Sequence, residues 1–177
     1  TTIDTLDYSG SGLNQGSKLI LAAAGPVLRQ LSNDLDGKLR LPSGWSDPRI
    51  CLPGVLVVRG EPYCGLSSRQ TFESICDKLP TYAWRDQYPL VVVCDDANFT
   101  AHSLENFVWT TFTRSNPAID VYGIGASQQD KHFGCSGSLV IDARAKPHHA
   151  PGLIEDPATS LKVDARAGRG GELAKFL

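Results

Sequence analysis

The sequence predicts an α/β fold, a layered sheet with helices on both of its faces. Two short runs, residues 55–58 and 90–94, are rich in β-branched residues and show no alternation of apolar and polar side chains. Such runs are typical of strands that are covered on both faces, as in parallel sheets. Apolar residues at helical spacing follow in residues 67–79 and 103–113. Strands that alternate with helices in this way indicate a layered α/β sheet.

The amino-terminal part of the chain changes character twice. Residues 1–17 are rich in glycine and serine and are predicted to form an irregular lead-in. The apolar run 18–24, closed by a Gly-Pro pair, fits a buried strand. Residues 41–53 contain three prolines and are predicted to be a loop before the strand at 55–58.

Two helices are predicted from apolar stripes. In residues 67–79, Ser67 and Gln70 match a capping box. The apolar face of this helix consists of Phe72, Ile75, Cys76 and Leu79. The helix in residues 103–113 is expected to bury a stripe formed by Leu104, Phe107, Val108 and Phe112. Trp109 is also expected to lie in the core.

The carboxy-terminal third of the chain is predicted to be less regular. Two further short strands are expected at residues 119–122 and 139–141, each flanked by Gly, Pro or Asp. The α/β domain is therefore expected to span residues 18–147. Beyond it the periodicity is lost, so residues 148–177 are predicted to be a loop and tail, with a mobile segment at 165–171.

Composition excludes several classes of partner. The 177 residues include 17 Lys and Arg and 19 Asp and Glu, and no segment concentrates either sign of charge. No nucleic acid is therefore expected as a partner. The apolar runs are far shorter than the ~20 residues that a membrane helix requires, so no membrane-spanning segment is predicted.

The numbers of cysteine and methionine residues suggest where the protein is located and whether the sequence is a piece of a longer one. Five cysteines are scattered without C-x-x-C spacing, which argues against a zinc site and a disulfide framework and favours a cytoplasmic protein with reduced thiols. The sequence contains no methionine. We therefore expect the chain to be processed or to be a piece of a longer protein.

No complete active site can be read from the residues themselves. The glycine-rich segments lack the residue order of a phosphate loop and the third glycine of a dinucleotide fingerprint. Asp95 and Asp96 follow a buried strand, where they could hold a divalent cation together with His102 and Glu105. Alternatively, the aspartates could accept backbone N–H bonds and cap the following turn.

Two stretches resemble one protein family. Residues 91–123 resemble the strand, acidic turn and helix of the UbiD-type decarboxylases, the 3-polyprenyl-4-hydroxybenzoate carboxy-lyases. Their sequence is VVVCDDANFTAHSLENFVWTTFTRSNPAIDVYG. The matching positions are Asp95, Asp96, Trp109, Thr113, Arg114, Pro117 and Asp120. The family's later G-S-x-x-x-I-D-A element resembles residues 134–151, through Gly137, Ser138, Asp142 and Ala143.

The resemblance implies a carboxy-terminal domain that builds an oligomer interface and closes against a cofactor domain. The parent enzyme is then expected to remove CO2 from an aromatic or unsaturated carboxylic acid, of the quinone-precursor type, on prenylated FMN held with the help of metal ions. The family's catalytic trio and flavin site have no match in this sequence. We therefore assign no catalytic, cofactor-binding or metal-binding residue to the chain.

The resemblance also suggests roles for a few side chains. Lys131 and His132 lie where the carboxy-terminal domain of relatives approaches the substrate pocket, and they are candidates to meet a carboxylate or phenol there. A solvated interface loop is the alternative. Arg114 and Asp120 are expected to form a paired link between the helix end and the next strand.

The sequence leaves three functions open. The first is a carboxy-terminal domain that serves assembly and closure, with the protein's own amino-terminal catalytic domain as its partner and a homo-oligomer as its state. The second is a free-standing, non-catalytic subunit that completes a separate catalytic subunit. The third is a small-molecule-binding α/β module that uses the crevice beside Asp95.

Overall fold

A computed structural model describes residues 25–27, 30–80, 84–129, 132–149 and 156–176. The chain forms two compact units, Thr1–Pro147 and His148–Leu177. The lead-in predicted at 1–17 and the strand predicted at 18–24 lie outside the described residues.

A five-stranded mixed sheet forms the centre of the first unit. In spatial order its strands are β1 (Ser46–Leu52), β2 (Val55–Arg59), β3 (Leu90–Cys94), β7 (Leu139–Asp142) and β4 (Val121–Gly123). Strands β2, β3 and β7 are parallel, and β1 and β4 pair antiparallel at the two edges. A separate hairpin consists of β5 (Ala126–Gln129) and β6 (His132–Cys135). The carboxyl ends of the parallel strands and the start of β4 therefore share one edge of the sheet.

Helices cover both faces of the sheet, as the sequence predicts. They are α1 (Leu66–Lys78), α2 (Ala97–His102) and α3 (Leu104–Thr113). Phe72 of α1 packs in one core with Val91 and Val93 of β3, while Phe107 of α3 packs in the other core with Val92. Because successive residues of a strand point to opposite faces, β3 has to be apolar at every position.

The loop predicted at 41–53 is wrong for residues 46–52, which form the edge strand β1. The pairing of β1 with β2 shifts register between Ser46 and Arg49, on either side of Pro48. Asp47 within this irregularity has a φ of 47°. A proline is tolerated at a bulge in an edge strand because the ladder needs no N–H at that position. Prolines alone are therefore weak evidence against an edge strand.

The predicted helix at 67–79 is confirmed, but its predicted capping box is wrong. Helix α1 begins after Gly65, which has a φ of 80° and provides no side-chain cap. Ser67 lies inside the first turn, where its hydroxyl donates to the carbonyl oxygen of Cys64 at 3.3 Å. The capping box requires Ser67 to stand before the helix. By contrast, Ser103 does cap α3, because its Oγ accepts the N–H of the third residue along.

Helix α3 presents most of its apolar side chains to solvent. Phe107 is buried as predicted, and the other side chains buried by α3 are Thr110 and Thr111. The half-exposed side chains of this helix are Leu104, Val108, Trp109 and Phe112. The prediction that this stripe and Trp109 lie in the core is therefore wrong, except for Phe107. The residue row that faces the sheet starts at Phe107 and continues three and four positions later with the two threonines.

The second unit contains one α-helix, α4 (Pro157–Ala167), and a short 3-10 helix (Ala174–Phe176), within the described residues. Asp156 caps α4 by accepting the N–H groups of Ala158 and Thr159. The loop and tail predicted at 148–177 are thus wrong for residues 157–167, which are helical and include the first three residues of the segment predicted to be mobile at 165–171. None of the residues of α4 is buried, so apolar periodicity could not reveal it. Across the described parts of both units, we find no helix with the length and hydropathy of a membrane span.

Candidate functional site

Six charged side chains gather at the edge of the sheet where the parallel strands end. This carboxyl-edge cluster consists of Asp95, Arg114, Asp120, Asp142, Arg144 and Lys146. It takes its members from the ends of β3, β7 and α3 and from the start of β4. The carboxyl edge of an α/β sheet is the usual location of a functional site. The cluster contains three carboxylates and three cations, so their formal charges cancel.

Asp142 and Arg144 form a bidentate ion pair that is almost fully buried. Nε and Nη2 of Arg144 each donate to one carboxylate oxygen of Asp142 at 2.8 Å. The backbone N–H of Arg144 also donates to this carboxylate, at 3.2 Å, and Nη1 donates to the carbonyl oxygen of Glu61 at 2.8 Å. The guanidinium lies over the rings of Phe72 and Tyr63, 5.3 and 5.6 Å from their centroids. The pair is therefore enclosed on several sides.

The ammonium group of Lys146 is equally buried. Its Nζ donates to three backbone carbonyl oxygens, those of Asp142 at 2.8 Å, Arg114 at 3.0 Å and Arg144 at 3.2 Å. An ammonium group has three N–H donors, so these carbonyls alone can satisfy it. Lys146 therefore ties the segment after β7 to the end of α3.

Asp120 provides the carboxylate beside this ammonium group. Its Oδ2 lies 3.4 Å from Nζ of Lys146 and accepts the backbone N–H of Asn116 at 2.7 Å. Its Oδ1 is buried and has no hydrogen-bond partner among the described residues. Burial raises the pKa of Asp120, against the lowering effects of the Asn116 N–H and of Lys146.

Asp95 joins the end of β3 to two other segments. Its Oδ2 accepts Nη1 of Arg114 at 3.1 Å and the backbone N–H of Ala145 at 2.7 Å. The predicted pairing of Arg114 with Asp120 is therefore wrong, because Arg114 pairs with Asp95 and Asp120 with Lys146. The end of α3 returns to the carboxyl end of β3, which places the guanidinium beside the aspartate of that strand.

Asp96 acts as a helix cap. Its Oδ1 accepts the backbone N–H of Phe99 at 2.9 Å at the start of α2. This confirms the capping alternative for Asp96. Within the described ranges, no three His, Cys, Asp or Glu side chains are grouped so that they could hold a metal ion. The carboxylates of Asp95 and Asp142 already accept N–H donors from neighbouring groups.

The remaining predicted positions lie apart from the cluster or outside the described residues. Pro117 lies in the turn between α3 and β4, and Trp109 is half-exposed on α3. Lys131 lies outside the described residues. His132 begins β6, where its backbone pairs with Gln129, and its side chain is not described. A role of Lys131 and His132 at a substrate pocket therefore stays a prediction.

Sequence reasoning missed Arg144 and Lys146, which hold the cluster together. A signal for them exists in Asp-x-Arg-x-Lys, which begins with the last residue of β7. Alternate residues of an extended segment share one side, so this spacing favours a joint contact of the three side chains. Within this motif the resemblance drew attention to Asp142 and Ala143 but to neither of the two cations.

A cavity of about 210 Å³ opens beside the cluster. Its walls include Arg144, Glu61 and Trp45, together with Ser67 and Thr71 of α1. It adjoins a wider groove of about 660 Å³ along α1, which shares Glu61, Ser67 and Thr71. The charge of Arg144 is already balanced by its carboxylate partner, so the cavity is polar without offering a free cation to a ligand.

Comparison with known proteins shows what the chain is similar to. No family model matches it. It is, however, similar over nearly its whole length to one part of larger chlamydial proteins. One of these is a 4-hydroxybenzoate decarboxylase subunit of Chlamydia pneumoniae, which is 32% identical over 169 residues, with 94% of this chain and 26% of that protein covered. Uncharacterized proteins of Chlamydia caviae and Chlamydia trachomatis serovar D are 32% and 34% identical over 167 residues, with 94% of this chain and 27% of each protein covered.

The chain spans about a quarter of the length of these curated relatives. Among solved structures, two of the vanillic acid decarboxylase of Sedimentibacter hydroxybenzoicus in its open form align with it at 17% identity. Their TM-scores are 0.37 and 0.39, and they cover 69% and 71% of this chain and 27% of the solved chain. TM-scores at this level do not establish a common fold. The sequence similarity thus relates the chain to part of a decarboxylase subunit.

Proposed function

We propose that this chain is the carboxy-terminal domain of a UbiD-type decarboxylase and that it serves assembly and closure rather than chemistry. The observation that carries the proposal is the similarity of 94% of the chain to about a quarter of a 4-hydroxybenzoate decarboxylase subunit. The resemblance of residues 91–123 and 134–151 to the family's motifs supports the same assignment.

The contacts of the carboxyl-edge cluster support a structural role. A general acid or base has to exchange a proton with a substrate within hydrogen-bond reach. Asp142 and Lys146 are instead enclosed and hydrogen-bonded to neighbouring groups of the same domain. These contacts join the ends of β3, β7 and α3, so the domain can act as one rigid part of a larger enzyme.

The parent enzyme, on this proposal, removes CO2 from an aromatic or unsaturated carboxylic acid of the quinone-precursor type. The Chlamydia pneumoniae relative is named after 4-hydroxybenzoate, which is an aromatic acid, and this name supports the proposed substrate class. Prenylated FMN, with metal ions, would supply the electron sink for decarboxylation from another part of the protein. Lys131 and His132 are proposed to reach the substrate pocket from this domain. A cytoplasmic location is proposed as well, and the five free cysteines support it.

The partner of the domain is proposed to be its own amino-terminal catalytic part, in a homo-oligomer. The relative's name as a subunit favours a second candidate, a free-standing subunit that completes a separate catalytic chain. Mass spectrometry of the protein from its natural source separates the two. A species near 19.1 kDa would support the separate subunit, and a species several times heavier would support the domain.

Release of CO2 from 4-hydroxybenzoate in the presence of prenylated FMN tests the decarboxylase assignment. The native protein that contains this sequence is expected to retain the flavin and release CO2, whereas the 177-residue chain alone is expected to do neither. Release by the chain alone would overturn the non-catalytic role. A native protein that neither binds the flavin nor decarboxylates any aromatic acid would overturn the assignment to this enzyme class.

A further inference from the structure

The cavity of about 210 Å³ beside the carboxyl-edge cluster has one carboxylate in its wall that the cluster does not use. This carboxylate belongs to Glu61, which lines both the cavity and the wider groove of about 660 Å³ along α1. Within the described residues it takes part in no ion pair. The other charged residue of the cavity wall, Arg144, is neutralised by Asp142. The cavity therefore presents one unbalanced negative charge.

Glu61 is held in place by its surroundings rather than by a counter-ion. Its carbonyl oxygen accepts Nη1 of Arg144 at 2.8 Å. Its side chain lies against Gly44, where an added Cβ would be 3.0 Å from Cδ and 3.2 Å from Oε1 of the glutamate. The φ of Gly44 is 84°, which also favours glycine at this position. A charge that is already fixed beside a cavity loses little conformational freedom when it binds a ligand.

The groove continues from the cavity along a polar side of α1. Ser67, Thr71 and Ser74 line it at spacings of four and three residues, so they form a row of hydroxyl groups along the helix. Hydroxyl groups both donate and accept, which suits the N–H and C=O groups of an extended backbone. Lys78 lines the groove about 16 Å beyond Ser67 along the helix axis. Hydroxyl groups thus connect a carboxylate at one end with an ammonium group at the other.

We propose that the cavity and the groove bind an extended segment of a partner polypeptide, with an arginine of that segment in the cavity against Glu61. The unbalanced carboxylate selects a cation by charge complementarity. Among the cationic side chains, a guanidinium can donate two N–H bonds to one carboxylate and stack on an aromatic wall such as Trp45. A volume of about 210 Å³ holds about seven waters at about 30 Å³ each, which is room for an arginine side chain.

Lys78 provides the second anchor of the segment. About five extended residues span the roughly 16 Å between the two ends of the groove, so an acidic residue about five positions from the arginine is expected to lie beside this ammonium group. A small free cation would use the cavity and leave the groove empty. The proposal goes beyond the decarboxylase assignment, because it concerns a surface to which that assignment gives no role.

NMR spectra of the 177-residue chain test this site. The probe is a peptide with a central arginine, four glycine or serine residues on each side and a glutamate at each end, which allows either chain direction. At low ionic strength it is expected to shift the indole N–H resonance of Trp45 in the cavity wall and to leave that of Trp109 on α3 unchanged. Replacing the arginine by its neutral isostere citrulline is expected to weaken binding about tenfold or more, because hydrogen bonds between charged groups are lost.

Three variants of the chain identify the two charges. Glu61→Gln is expected to weaken binding of the arginine peptide about tenfold and to leave binding of the citrulline peptide unchanged. Lys78→Gln is expected to weaken binding about two- to threefold and to abolish any preference for glutamate over glutamine at the peptide ends. Glu73→Gln is the control, because Glu73 lies on α1 but lines neither the cavity nor the groove. All three side chains are exposed, so the variants are expected to fold as the unmodified chain does.

The possible results separate the parts of the proposal. If millimolar peptide leaves the Trp45 resonance in place, or if the arginine and citrulline peptides bind equally, the arginine site is refuted. If N-ethylguanidinium binds as tightly as the peptide, the cavity is a pocket for small cations and the polypeptide partner is refuted. Neither result affects the CO2 assay, so failure of this site and failure of the decarboxylase assignment can be told apart.

Discussion

Asp142→Asn removes one negative charge from the carboxyl-edge cluster while preserving the shape of the side chain. In the unmodified protein, Nε and Nη2 of Arg144 donate to the two carboxylate oxygens at 2.8 Å. With asparagine, one of these guanidinium N–H groups faces an amide NH2, which cannot accept it. The guanidinium then remains buried between Tyr63 and Phe72 without a counter-charge.

The structure sets the expected size of this effect. Breaking a buried ion pair by neutralising one partner lowers the free energy of unfolding by about 3–5 kcal/mol, a large share of the roughly 5–15 kcal/mol that holds a typical domain together. The chain also provides a matched control in Asp47 and Arg49, which have the same spacing in sequence. Their Oδ1 and Nε atoms are 3.0 Å apart in a solvent-exposed pair. Asp47→Asn is expected to change the free energy of unfolding by about 0–1 kcal/mol.

Urea unfolding followed by tryptophan fluorescence measures the difference. Trp45 is a suitable probe, because its ring centroid lies 5.5 Å from that of Phe72, under the guanidinium. The double variant Asp142→Asn with Arg144→Met removes both charges, so it is expected to lose at least about 2 kcal/mol less than the sum of the two single variants. If Asp142→Asn is no more harmful than Asp47→Asn, or if the single effects simply add, the ion pair does not hold this edge of the sheet together.

Three further predictions concern packing, protonation and thiol reactivity. Gly60→Ala is expected to lower the free energy of unfolding by about 1–3 kcal/mol, because a Cβ there would lie 2.6 Å from a valine methyl of β3. Gly37→Ala is the control, because a Cβ at Gly37 would have nothing within 4 Å. Equal losses of stability in the two variants would contradict close packing at Gly60. Burial raises the pKa of Asp120 above 3.8, so the folded state binds the proton more readily than the unfolded state. The free energy of unfolding of the unmodified chain, minus that of Asp120→Asn, should therefore rise as the pH falls from neutral towards 3.8 in urea titrations, and a falling difference would refute the raised pKa. With Ellman's reagent at about pH 8, the exposed Cys64 is expected to react in the native chain. Cys76 is expected to react only after unfolding, because burial raises the pKa of its thiol to about 12. Rapid reaction of both thiols in the native chain would contradict the buried environment of Cys76.

The centre of the fold could be predicted because its causes are local in the sequence. An unbroken apolar run such as 90–94 must be covered on both faces, and the stripe in 67–79 requires a helix that lies on a sheet. The edge strand β1 could not be predicted in the same way. Its register irregularity accommodates Pro48 and Asp47, and only the partner strand shows that these residues belong to a ladder.

The residues of the site are easier to predict than their pairings. Asp95, Asp120 and Asp142 all occupy positions of the family motifs, yet each has a different cation or N–H donor as its partner. The pairs Arg114–Asp95 and Lys146–Asp120 depend on the spatial order of the sheet, in which β7 lies between β3 and β4 although β4 precedes it in the chain. A sequence does not show which loops such an order brings together. The sequence therefore favours pairing Arg114 with the aspartate nearest to it along the chain, instead of the one across the sheet edge.

The outward face of α3 marks a limit of periodicity as a guide to burial. Apolar spacing shows that a helix has one apolar face. It does not show whether that face packs in the core of the domain or lies on its surface. In α3 the two surfaces compete: Phe107, Thr110 and Thr111 face the sheet, and the longer row through Val108 faces outward. Threonine is small and β-branched, so the helix can approach the sheet closely. The cost is two buried hydroxyls that have no hydrogen-bond partner in the described part of the chain.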